Sequence, residues 1–136
     1  MTRKFHKDPV AIGHAEIVLA DLKIGLRAVT HATILSDDGF EVARLKSTAP
    51  TANRVPAMAS SMQALGDAVS RELKTGLCEY LIVAATEGFT VILRVPDLPL
   101  ILAVGFDDSE TIGKTLAAAR EAAEAMSRCP AQAAAA

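Results

Sequence analysis

The chain has 136 residues, 51% of them hydrophobic, with a formal net charge of −2, which suits one domain with enough apolar material for a core. Without a basic excess there is no electrostatic footprint for nucleic acid, and no window reaches the ~18 apolar residues of a membrane span. Ala131 and Ala133 to Ala136 inflate the hydrophobic share, and the aromatics are only Phe5, Phe40, Tyr80, Phe89 and Phe106, so the core is expected to be aliphatic.

The N-terminal "MTRKFHKDPV" is basic but lacks a following apolar stretch, so it reads as a loose leader over residues 1–10 rather than a secretion signal. A first helix follows, with Ile12, Ala15, Leu19, Leu22 and Leu26 on one face at three- and four-residue steps. "VTHATILS" then changes to a β pattern, "DDGF" turns, and "EVARLK" supplies a second strand. Asp-Gly between apolar runs is a strong hairpin signal, because Gly accepts positive φ and Asp tolerates it.

After the breaker-rich "STAPTANRVPA", Asn53 is a plausible N-cap for a helix from about Val55 to Lys74, with Gly76 as its stop. Val55, Met58, Met62, Leu65, Val69 and Leu73 gather on one side of it, and Ala57, Ser61, Ala64 and Ala68 form a small-residue stripe roughly opposite. Gln63, Asp67, Ser70 and Lys74 fill the polar remainder, so this helix has two surfaces to bury. Three strands follow: "CEYLIVAAT", "FTVILRV" and "LILAVGF", joined by turns too short for parallel crossovers. A last helix is expected after "DDSE", capped by Asp108 or Ser109, with Ile112, Leu116, Ala119, Ala123 and Met126 inward; residues 128–136 read as a disordered tail. The order α-β-β-α-β-β-β-α implies an α+β domain over residues 11–127, with one five-stranded antiparallel sheet and helices on both faces.

Chemistry-bearing residues are sparse. Asp37-Asp38 and Asp107-Asp108 suit a turn and a helix start better than a cation site. His6, His14 and His31 are too scattered for zinc, and Cys78 lacks a spaced companion; with Cys129 in the tail, the two thiols suggest a reduced, cytoplasmic chain. His31 reads as a hydrogen-bonded, half-buried strand histidine, Cys78 as a small buried hydrophobe and Cys129 as exposed. Neither GxxxxGK[ST] nor GxGxxG after a strand is present, so no nucleotide, metal or other cofactor is expected and no catalytic pair is evident. Arg54, Arg71 and Arg94 raise the question of an arginine finger supplied to a partner, with Arg71 better read as a surface ion-pair residue.

The ordered set "ATILSDDGFEVA", "MASSMQALGDAVSRELKTG", "EYLIVAATEGFTVILRV" and "LILAVGFDDSETIGKTLAAAR" resembles the Roadblock/dynein light-chain family, which includes bacterial regulators of Ras-like small GTPases. The resemblance spans about Ile12 to Met126, with Ile112-Gly113 where the family commonly has Leu-Gly. It implies a homodimer in which central helices pack across a two-fold and third strands pair. The dimer residues would then be Ala57, Ser61, Ala64 and Ala68, whose small side chains permit close helix approach, with Tyr80, Ile82 and Ala84 of the third strand. Glu79 to Thr86 contains neither Pro nor Lys, so it is unprotected as an edge.

The resemblance further implies a non-enzymatic regulator or scaffold for a Ras-like GTPase, touched through Gln63, Asp67, Ser70, Arg71 and Lys74. Any effect on GTP hydrolysis would come from biasing the partner's switch loops. The alternative is a sensory α+β domain with a small-ligand pocket near His31 and Tyr80.

Overall fold

In the computed structural model, which describes residues 4–45 and 52–130, the first hairpin forms as its turn chemistry dictates. Gly39 adopts φ 94° and donates its N–H to the Ser36 carbonyl at 2.9 Å, while the Ser36 hydroxyl donates to the Asp38 carboxylate. The turn joins β1 (Val29–Ser36) to β2 (Glu41–Arg44), with a register shift at Ile34/Leu35. β3 (Tyr80–Ala85), β4 (Gly88–Arg94) and β5 (Leu100–Asp107) complete one antiparallel sheet in the order β2-β1-β5-β4-β3. The helices are α1 (Pro9–Gly25), α2 (Val55–Glu72) and α3 (Ile112–Ser127), so the α+β element order matches the expected one.

Strand alternation sends one set of side chains to each face. On one face Ile34, Val91, Leu93, Leu102 and Val104 pack with Leu19 and Leu22 of α1 and Ala119, Ala123 and Met126 of α3. On the other, Leu35, Ile92, Ile101 and Ala103 meet Ala59 of α2. The middle strand β5 is therefore apolar without interruption from Leu100 to Val104, because both of its faces are covered. His14 ties the two helices of the first face together, its Nε2 lying 2.8 Å from the Ala125 carbonyl.

Several ends differ from expectation. Phe5 is buried in the core, a short 3-10 turn spans Phe5–Lys7, and the Asp8 carboxylate caps α1 by accepting from the Val10 N–H at 3.0 Å. The segment expected as a loose leader is thus part of the fold from Phe5 onward: an aromatic ring finds apolar cover, and Pro9 suits the first helical turn. Asn53 is not a cap but lies in a 3-10 turn, Ala52–Arg54, leading into α2. α3 is capped by Thr111, whose hydroxyl accepts from the Lys114 N–H at 3.2 Å, instead of Asp108 or Ser109. Asp107 instead holds the preceding turn: its carboxylate accepts from the Ser109 hydroxyl and N–H, bonds that lower its pKa. Ile112 is exposed, and Cys129, expected to be exposed, is half-buried against the core. The tail beyond residue 130 lies outside the described residues.

Candidate protein-interaction surface

α2 crosses the sheet on a narrow face that neither expected stripe supplies. Pro56, Ala59 and Gln63 are buried there, with Gly66 and Ser70 continuing the same line. The approach is close: a Cβ on Gly66 would stand 2.8 Å from Cys78 Sγ and 3.1 Å from a Leu81 methyl. At Gly66 there is no room for a side chain, and most of the large apolar residues of the helix lie on its outward side. Met58, Leu65, Val69 and Leu73 are exposed, Leu65 by 66%, and only Val55 and Met62 at the margin pack partly under the helix. Ala57, Ser61, Ala64 and Ala68 are exposed too, alongside the large residues. The two stripes expected to lie roughly opposite each other therefore form one broad outward apolar face.

Gln63 is not a surface residue. It is 1% exposed, and its Nε2 donates to the Cys78 carbonyl at 3.5 Å and to Asp67 Oδ1 at 3.4 Å. It follows Ala59 by four residues, which places it on the sheet side, and its amide reaches the carbonyl that leads into β3. The remaining residues expected to contact a partner, Asp67, Ser70, Arg71 and Lys74, do come together. They line a groove of about 400 Å³ together with Gly76, Leu77, Cys78 and Arg94. Arg94 of β4 forms an ion pair with Asp67 and reaches to 4.0 Å from Asp37. Arg94 is thus a tether between β4, α2 and the first hairpin, rather than a free finger.

The β1–β2 turn is also anchored to α2, since the Ser60 hydroxyl donates to the Asp37 carbonyl at 2.6 Å. Asp37 and Asp107 sit at opposite ends of the β1–β5 ladder, so the two aspartate pairs do not meet. Among the described residues no group of three or more His, Cys, Asp or Glu side chains could hold a metal ion.

Among the described residues β3 pairs with β4 alone and forms an edge of the sheet, as its sequence led one to expect. Its side chains divide between the faces. Tyr80 lies under Arg120 of α3, 5.1 Å from ring centroid to guanidinium carbon, and Ile82 packs against the α1–α3 core. Leu81 instead packs beneath α2. Tyr80, Ile82 and Ala84 therefore share the edge with the α2 surface but not its face. Leu81 is the β3 residue packed beneath α2, and the exposed Val83 shares its sheet face by strand alternation, which is legible in the sequence. His31 and Tyr80 lie on β1 and β3, separated by β5 and β4, so they do not converge on a pocket. Both His31 ring nitrogens are covered and lack a hydrogen-bond partner, contrary to the expected bonded imidazole, and burial lowers the pKa, with Arg44 adding to and Glu41 opposing the shift.

A three-helix, five-stranded antiparallel layer with this strand order defines a known class: the Roadblock/LC7 domain model matches residues 18–106, and the chain belongs to that family. Solved structures agree in fold. An MglB described as having a tetrameric arrangement is similar with a TM-score of 0.78 and 19% identity, over 88% of this chain and 89% of that one. The gliding protein MglB of Thermus thermophilus gives 0.77 and 17%, over 88% and 90%. MglB of Myxococcus xanthus gives 0.75 and 10%, over 85% and 86%. No curated protein matches the chain in sequence.

Proposed function

We propose that the chain is a cytosolic, homodimeric regulator or scaffold that binds a Ras-like small GTPase and performs no catalytic chemistry of its own. One observation carries the dimer: the outward apolar face of α2 lies beside the open edge of β3. A two-fold axis beside both would pack α2 on its mate and pair the two β3 strands antiparallel, which joins two sheets into one. The apolar residues would leave water and the edge would gain backbone partners. A stable pairing of this kind needs more than ~1,200 Å² of buried surface in total. The tetrameric arrangement named for one MglB structure supports self-association as something this fold can do.

The GTPase rests on family membership together with the polar end of α2, where Asp67, Ser70, Arg71 and Lys74 are gathered. The regulator would act by favouring one arrangement of the partner's switch loops, which requires only differential affinity for two partner states. Sedimentation equilibrium, followed by pull-down from native cell extract with mass spectrometry, tests both parts. A dimer that recovers a small GTPase is expected. A monomer across the micromolar range would end the dimer reading, and an intact dimer recovering no GTPase would end the partner reading.

A further inference from the structure

We infer that the groove at the C-terminal end of α2 docks an acidic segment of a protein partner that carries at least one apolar side chain. This rests on the reading of α2 as the partner-binding helix, and adds the chemistry of what binds there.

Three cations from different places converge on the groove. Arg71 and Lys74 come from α2 and the turn that leaves it, and Arg94 comes from β4. Arg94 is held by Asp67, whereas Arg71 and Lys74 have no ion-pair partner among the described residues. The groove thus keeps a local excess of two positive charges in a chain whose net charge is −2. Basic residues do favour helix C-termini through the dipole, but that effect does not require a β4 arginine to be tied in at the same place.

The backbone adds a second observation. Lys74 has φ 56°, a left-handed conformation in which glycine or asparagine is the ordinary choice, and Thr75 N–H closes the helix end on the Ser70 carbonyl at 3.0 Å. Lysine is thus held where a glycine would be relaxed, and the chain recovers with Gly76 at φ 93°. The next residue, Leu77, is 90% exposed on the groove wall, above the half-buried Cys78. Cations sharing a groove with an exposed apolar side chain suit carboxylates flanking a leucine-like side chain. A small inorganic anion would use the charges and leave Leu77 idle.

The probe is a Glu-Glu-Leu-Glu-Glu peptide, with its glutamine counterpart and inorganic phosphate as controls, followed by amide NMR on the full chain. Expected are shifts confined to residues 70–78 and the Arg94 side chain, loss of affinity with added salt, and none of this from the glutamine peptide. The charge-reversed double variant Arg71→Glu/Lys74→Glu, with circular dichroism confirming its fold, should bind the acidic peptide at least about tenfold more weakly. No shifts at 70–78, equal binding by the reversed variant, or saturation of the same amides by phosphate alone would overturn the inference. The same variant is carried through the GTPase pull-down. Peptide binding as described with no GTPase recovered ends the partner reading and leaves this one standing. Equal GTPase recovery by both proteins with no peptide effect does the reverse.

Discussion

Truncating Leu65 to alanine separates the needs of the single chain from those of a dimer. The residue sits mid-helix on α2 and is 66% exposed, so the isolated fold draws little from it. Alanine is at least as good a helix former, and the change should move the stability of the monomer fold by no more than ~0.5 kcal/mol. In the dimer, the exposed two-thirds is what the partner would cover. Full burial of a leucine is worth roughly 1.5–3 kcal/mol, so that fraction contributes about 1–2 kcal/mol, and a symmetric interface uses it twice. The loss of about 2–4 kcal/mol raises the dimer dissociation constant by roughly 30- to 700-fold. Alanine's remaining methyl puts the expectation toward the lower figure. Sedimentation equilibrium across a wide concentration range measures it directly. A wild-type dimer whose dissociation constant moves less than threefold in Leu65→Ala would refute the reasoning, because the outward face of α2 would then not be the contact.

Ala64→Glu should split the dimer outright while circular dichroism stays native, since it sets a charge on the small-residue stripe at each of two facing helices; size-exclusion with light scattering reads the outcome. Gly88→Ala should destabilise by about 2–3 kcal/mol, because its Cβ would lie 2.2 Å from the Phe106 carbonyl oxygen, and neither strand can yield without breaking the ladder. Gly13→Ala is the opposite case: beyond its chain neighbours and the backbone of its own helix turn, nothing lies within 4 Å of the added Cβ, so urea melts at fixed protein concentration should show a gain of up to ~1 kcal/mol. His31 makes stability pH-dependent with a definite sign. Its folded pKa is lowered, by burial first, so below about pH 6.5 the unfolded chain binds more protons and stability falls with falling pH until the folded-state value is passed. His31→Leu should remove that part of the decline between pH 7 and 5; an unchanged pH profile would rule out the covered imidazole as its source.

Local chemistry was readable where a residue's role depends on its neighbours in sequence. Asp38-Gly39 made the first turn, and the short links around Glu87-Gly88 and Asp97 forced antiparallel neighbours. α1 buries Ala15, Leu19 and Leu22 as its periodicity implied. A helical projection places Gln63 in a polar sector and does not show the Cys78 carbonyl, fifteen residues along, to which its amide donates. Phe5 lies in a basic flank whose composition conceals one ring that the core takes up. The caps slipped because Asp107 uses its carboxylate on Ser109, which leaves the helix start to Thr111.

The sequence by itself determined the α+β order, the family resemblance, the hairpins and the unprotected character of β3, all of which follow from short-range pattern. Only the tertiary structure decided which side of α2 belongs to the chain's own sheet. Periodicity groups residues by face but does not rank faces, and intuition assigns the largest apolar side chains to the nearest core. Here the helix lies too close to β3 for them: at Gly66 even a methyl would crowd Cys78 and Leu81. Pro56, Ala59, Gln63 and Gly66 therefore face inward, and Met58, Leu65, Val69 and Leu73 are left outside with the small-residue stripe for whatever binds next.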